Sequence, residues 1–180
     1  MTYYPQKGYT LIELLVSVAI FAIVMLGSTA AYISFINYNR QAQTTATIIN
    51  SLYFAIDGMA RDIRAGYQYQ CSGGCTTSGN SQISFTDSTG NCTVTYGTLS
   101  GAIVRSTSGG GCTASQTNAA ITDPSISVNS LLFYVRGSTA HDAVQPMATI
   151  VVSGTATVPN STTVIPFQIE TGATQRLLDI

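Results

Sequence analysis

KGYTLIELLVSVAIFAIV, residues Lys7 to Val24, decides how this chain is read. A lysine and a small residue, Gly8, lead into an apolar run that holds one acid, Glu13. The next charge is Arg40. About twenty apolar residues cross the hydrocarbon core of a bilayer as a helix, and this run is long enough. A carboxylate at the centre of such a helix costs ~2.5 kcal/mol or more to insert. A plain anchor gains nothing from Glu13, so the acid predicts a partner of opposite charge.

The remaining composition narrows the classes. The chain has 180 residues and a formal net charge of −1. Behind the apolar run about one domain remains, enough for a modest core. Lys7 is the only lysine. No basic patch of the kind nucleic-acid binders carry is visible, so no nucleic-acid partner is expected. Sparse charge with abundant Ser, Thr and Gly suits a strand-rich exported domain, or one that packs against copies of itself.

The apolar segment admits three readings. A secretory signal peptide has a small-x-small site at Ser28-Thr29-Ala30, but Glu13 offsets Lys7 where a positive entrance is needed. A plain anchor explains the run and keeps Lys7 inside, yet leaves Glu13 idle. The third reading is a resemblance. GYTLIELLVSVAIFAIV is similar to the processing site of type IV prepilins and type II secretion pseudopilins: glycine, aromatic, Thr, Leu, Ile, Glu and a long apolar run, in that order. The resemblance implies that a prepilin peptidase cuts between Gly8 and Tyr9 and N-methylates Tyr9. The family most often has Phe where this chain has Tyr9, and the ring is kept. Glu13 matches the family's glutamate, five residues beyond the glycine. The new ammonium at Tyr9 and the Glu13 carboxylate of a neighbour can pair, and a desolvated charge is tolerated when paired. Glu13 would then set the register of stacked helices, and head-to-tail contacts that do not close make filaments.

No proline occurs between Thr10 and Gly66, so one helix of about 85 Å is allowed. Its first half is apolar all round. In its second half Ile48, Leu52, Ala55, Ile56, Met59 and Ile63 form a stripe at helical spacing that predicts cover for a sheet. Asp57 and Arg61 make an i,i+4 pair worth a few tenths of a kcal/mol. Gly66 reads as a stop. Gly27 costs up to ~1 kcal/mol against Ala; unwinding on assembly and close helix packing both account for it.

Beyond residue 71 the pattern alternates. Strand runs are expected at Gln82–Thr86, Cys92–Leu99, Ala102–Arg105, Ser130–Arg136, Ala148–Val152 and Val164–Thr171. Ser72 to Ser81 and Ser106 to Asn118 read as exposed loops. NSLYFAIDGMARDIRAG (Asn50 to Gly66) resembles the helix end of J-type pseudopilins and W-type minor pilins. SLLFYVRG, QPMATIVV and FQIETGATQR resemble the closing strands of that group. The expected class is α+β and pilin-like: a long N-terminal helix, its apolar half protruding, packed against an antiparallel sheet. The expected divisions are a leader (1–8), a membrane or filament-core helix (9–36), an amphipathic helix half (37–66) and a strand-rich extracytoplasmic domain (67–180).

Cys71, Cys75, Cys92 and Cys112 are even in number and follow the apolar segment, which predicts disulfides. Local pairing (Cys71 with Cys75, Cys92 with Cys112) and crossed pairing both remain open, and the spacing lacks the C-x₂-C pairs of zinc sites. His141 beside Asp142 reads as a loop histidine. Arg61, Asp62 and Arg64 read as a partner contact or as a solvated helix end. Asn91-Cys92-Thr93 and Asn160-Ser161-Thr162 fit the glycosylation pattern but carry little weight in a pilin. Asp87 and Asp123 stand alone in loops, without a calcium cluster. No catalytic centre, metal or cofactor is expected.

The expectation is therefore a minor type IV pilin-like structural subunit, acting in initiation or at the tip of a pilus or pseudopilus. A type II secretion J-type pseudopilin is the alternative within the class. A membrane-anchored extracytoplasmic binding module that never polymerises is the alternative outside it. Expected partners are the prepilin peptidase, other pilins or pseudopilins, an inner-membrane assembly platform, and lipid before assembly. The expected location is the inner membrane, single-pass, and then a surface pilus or periplasmic pseudopilus.

Overall fold

The computed structural model describes residues 8–75, 78–139, 144–158 and 164–176. One helix, α1, runs Leu11–Ala65 for 55 residues. Eight strands follow: β1 (Tyr67–Cys71), β2 (Ile83–Thr86), β3 (Thr93–Leu99), β4 (Ala102–Ser108), β5 (Gln116–Ala120), β6 (Ile126–Arg136), β7 (Met147–Thr157) and β8 (Val164–Thr174). The chain divides into two compact units, Met1–Gln43 and Thr44–Ile180.

In the first unit α1 passes through Gly27-Ser28-Thr29 without interruption. Its large apolar side chains face outward: Leu11 is 78 % exposed and Met25 50 %. Among its hydroxyls, Ser17 donates to the Leu14 carbonyl (2.9 Å), Thr29 to Met25 (2.8 Å) and Ser34 to Ala30 (3.1 Å). These hydroxyls need nothing from the surroundings, which suits an apolar medium.

In the second unit the stripe of α1 is buried at Ile48, Leu52, Ile56, Met59, Ala60 and Ile63. Ala60 joins the stripe, and Ala55 sits at its rim. Each large side chain among them contributes ~1.5–3 kcal/mol relative to exposure. They share one core with Ile83, Phe85, Val94, Tyr96 and Ile103 on one side and Val128, Leu131, Phe133, Ile150 and Val152 on the other.

The strands form two antiparallel sheets, β1-β2-β3-β4-β5 and β6-β7-β8, where the sequence suggests one. The sheets are stitched together. Asn80 and Phe133 exchange backbone bonds (2.8 and 2.7 Å), and the Val128 N–H donates to Gly101 (2.7 Å). Strands β1 and β5 lie where no strand is expected; β5 is a stretch of Gln, Asn and Ala with weak strand preference, whereas β1 carries Tyr67 and Tyr69 but follows the helix after one residue. The expected loop 106–118 shrinks accordingly, since β4 extends to Ser108 and β5 begins at Gln116. The β3–β4 hairpin turns on Ser100 (φ 51°) and Gly101 (φ 78°), two positive φ values that favour glycine at the second position.

Gly66 does end the helix, but not by left-handed backbone. Its φ is not positive; a Cβ there would lie 2.2 Å from the Phe85 ring. The glycine lets a buried aromatic close over the last turn. The Tyr69 hydroxyl then donates to the Ile63 carbonyl (2.7 Å), which also accepts from the Gly66 N–H (3.2 Å) in the last turn.

Candidate processing and assembly site

Gly8, Tyr9 and Thr10 precede the first helical residue. Thr10 is the N-cap. Its Oγ1 accepts from the Glu13 N–H (3.4 Å), and its carbonyl accepts from the Leu14 N–H (3.2 Å). Glu13 therefore stands in the first turn, at the third helical position. Thr10-Leu11-Ile12-Glu13 is the T-x-x-E pattern of a capping box, legible in the sequence yet overlooked there. A carboxylate in this turn also faces the positive end of the helix dipole. These local effects are worth about 0.3–1 kcal/mol, less than the ~2.5 kcal/mol that a mid-bilayer carboxylate costs. Capping places Glu13; it does not replace a counter-charge.

Gly8 has no atom within 4 Å of a notional Cβ. Tyr9 is 87 % exposed. The bond between them is open to another protein. From Gly8 to Asn39, Glu13 is the sole charged residue. Exposed apolar surface of this extent marks contact with lipid or protein, and α1 is long and apolar enough to cross a membrane.

The remaining candidates fall in the second unit. Disulfides join Cys71 to Cys75 and Cys92 to Cys112, the local arrangement rather than the crossed one. Arg61 pairs with Asp57 at 2.6 Å on the surface. Asp62 turns inward. The Tyr96 hydroxyl donates to its Oδ2 (2.6 Å), and Arg105 Nε donates to the same oxygen and to the Tyr96 oxygen (3.2 Å each). Asp62 thus fastens the end of α1 to β3 and β4 while its side chain stays 39 % exposed. Arg64 offers its carbonyl to the Arg176 N–H (2.9 Å). Burial, then the hydrogen bond to Asp62, raises the Tyr96 hydroxyl above its ordinary range. Burial alone raises Tyr69.

The two loop acids organise their own turns. Asp123 accepts from the Ser125 N–H (2.8 Å) and hydroxyl, which hold its carboxyl below the ordinary value. Burial acts upward on Asp87, but hydrogen bonds from Thr89 and the Cys92 amide outweigh it. Asn91 is exposed. His141, Asp142 and Asn160-Ser161-Thr162 lie outside the described residues.

A family model described as the prokaryotic N-terminal methylation motif matches residues 4–29. The match spans Gly8, Tyr9 and Glu13, so the chain carries the type IV prepilin signature over these residues. No curated protein and no solved structure matches the chain.

Proposed function

We propose, from the type IV prepilin signature that this chain carries, that it is the precursor of a minor pilin-like structural subunit. Prepilin peptidase cuts between Gly8 and Tyr9 and methylates the new Tyr9 amine. Residues 9–36 then hold the subunit in the inner membrane, with the strand-rich domain outside the cytoplasm. Assembly draws these helices out of lipid and packs them against those of other pilins, in the initiation or tip region of a pilus or pseudopilus. The role is structural, without turnover. The observation that carries this reading is Glu13, a single carboxylate within the matched motif and in the first turn of an exposed apolar helix. In a stack of helices the Tyr9 ammonium of the adjoining subunit neutralises it.

The test is Glu13→Ala in cells that build the fibre. Cleavage and membrane insertion are expected to continue, while recovery of the subunit in sheared fibres falls at least about tenfold, the equivalent of ~1.4 kcal/mol. Normal recovery overturns the reading and leaves a tethered domain.

A further inference from the structure

Sheet edges present unpaired N–H and C=O groups, and proteins blunt them with short strands, bulges or a covering segment. The two sheets have two edges each. β1 has 5 residues and a register shift between Tyr67 and Gln70. β5 also has 5, a register shift against β4, and Asn118 at φ 51°. β6 is closed onto the other sheet through Asn80 and Gly101. β8 differs. It runs 11 residues in unbroken register with β7, and Glu170 is its only charge. Among the described residues, its backbone from Val164 to Thr174 bonds only to β7.

The ladder tells which groups face the free side. Successive residues of an antiparallel strand turn their backbone groups to opposite sides. Phe133 of β6 gives both of its groups to Asn80, away from β7. Phe133 lies opposite Ile150, so Ile150 bonds toward β8, where it meets Thr171. Thr171, Ile169 and Phe167 therefore bond to β7, and the even-numbered residues point outward. Pro166, which has no N–H, falls in the outward set, where a proline costs the ladder nothing. Gln168, Glu170 and Gly172 present free donors and acceptors along an edge of roughly 35 Å.

We propose that this edge receives an extended segment of a neighbouring pilin-type subunit, which adds to the sheet as a further strand beyond β8. This rests on the fibre reading above. The half-buried Phe167 and Ile169 call for apolar side chains beside them, and Glu170 disfavours an acid directly opposite. Antiparallel pairing of β8 with β8 of a second copy closes on a two-fold axis and halts growth; a different segment of the neighbour leaves the assembly open.

Residue-resolved hydrogen exchange on the processed full-length chain, free in detergent and in fibres assembled with its companion pilins, tests this. In the free chain the Ile169 and Thr171 amides exchange slowly and those of Gln168, Glu170 and Gly172 quickly. In the fibre these three slow by about a hundredfold. A chain that co-sediments with fibres but keeps the three amides fast overturns this proposal alone. A chain that never co-sediments overturns the fibre reading and this proposal with it. Protection that rises with concentration of the free chain assigns the edge to a second copy and overturns the chosen occupant. Gln168→Pro and Glu170→Pro remove outward donors without touching β7. Each is expected to keep the thermal midpoint and lower fibre incorporation about tenfold. Unchanged incorporation of a folded variant counts against the proposal, and if either variant unfolds the wild-type exchange decides.

Discussion

Glu13, Gly8, Gly66 and Asp62 show how single residues serve different ends. Among the described residues nothing lies within 4 Å of a notional Gly8 Cβ, so a side chain there leaves folding alone. Gly8→Leu is expected to retain the leader while the far-ultraviolet circular dichroism and melting temperature stay unchanged; electrophoretic mobility and melting curves check this. Gly66 is the opposite case. Gly66→Ala forces a methyl into the Phe85 ring and should lower unfolding free energy by about 1–3 kcal/mol, read by urea titration. Asp62→Ala leaves the buried Tyr96 and the half-buried Arg105 without their shared acceptor and should cost a similar ~1–3 kcal/mol. Tyr96→Phe, which removes the hydroxyl but keeps the ring, should cost less. These contacts were not legible in advance. Asp62 meets residues 34 and 43 positions away, and no local pattern encodes such a pairing. Thr10 was legible, because the T-x-x-E pattern lies within four consecutive residues and its hydroxyl does accept from the Glu13 N–H.

At the level of elements, α1 and the β-rich strands announce themselves by period. The stripe from Ile48 to Ile63 and the alternation of β8 follow the spacings that helices and half-buried strands impose. β1 and β5 are harder to read: YQYQC alternates but is only 5 residues long and abuts the helix, QTNAA shows no alternation, and pairing with β2 and β4 holds them in place. Division into two sheets was equally hidden, since no local pattern tells that β6 pairs with β7 and not with β5. The disulfides differ in weight for a related reason. Cys92–Cys112 spans 20 positions and ties the start of β3 to the loop after β4. Replacing both of these cysteines by alanine should cost ~2–4 kcal/mol, whereas the Cys71–Cys75 pair closes a shorter loop and should cost less. Paired denaturation curves separate the two.

For the whole molecule, two buried tyrosines set an alkaline limit. Both Tyr69 and Tyr96 hold their protons more tightly than an unfolded tyrosine, whose ordinary value is about 10. Their contribution is complete below that value. It is lost as pH rises, because the unfolded chain releases protons that the folded chain retains. The urea midpoint should be level from pH 7 to about 9.5 and fall beyond it. Tyr69→Phe should flatten the fall. The larger claim is that the first unit is a processed helix made to be covered, by lipid first and by other subunits later. Mass spectrometry of the mature amino terminus tests it most directly. A chain that begins at N-methylated Tyr9 is the expected result; one that begins at Ala31, or still carries Met1 in peptidase-competent cells, contradicts it.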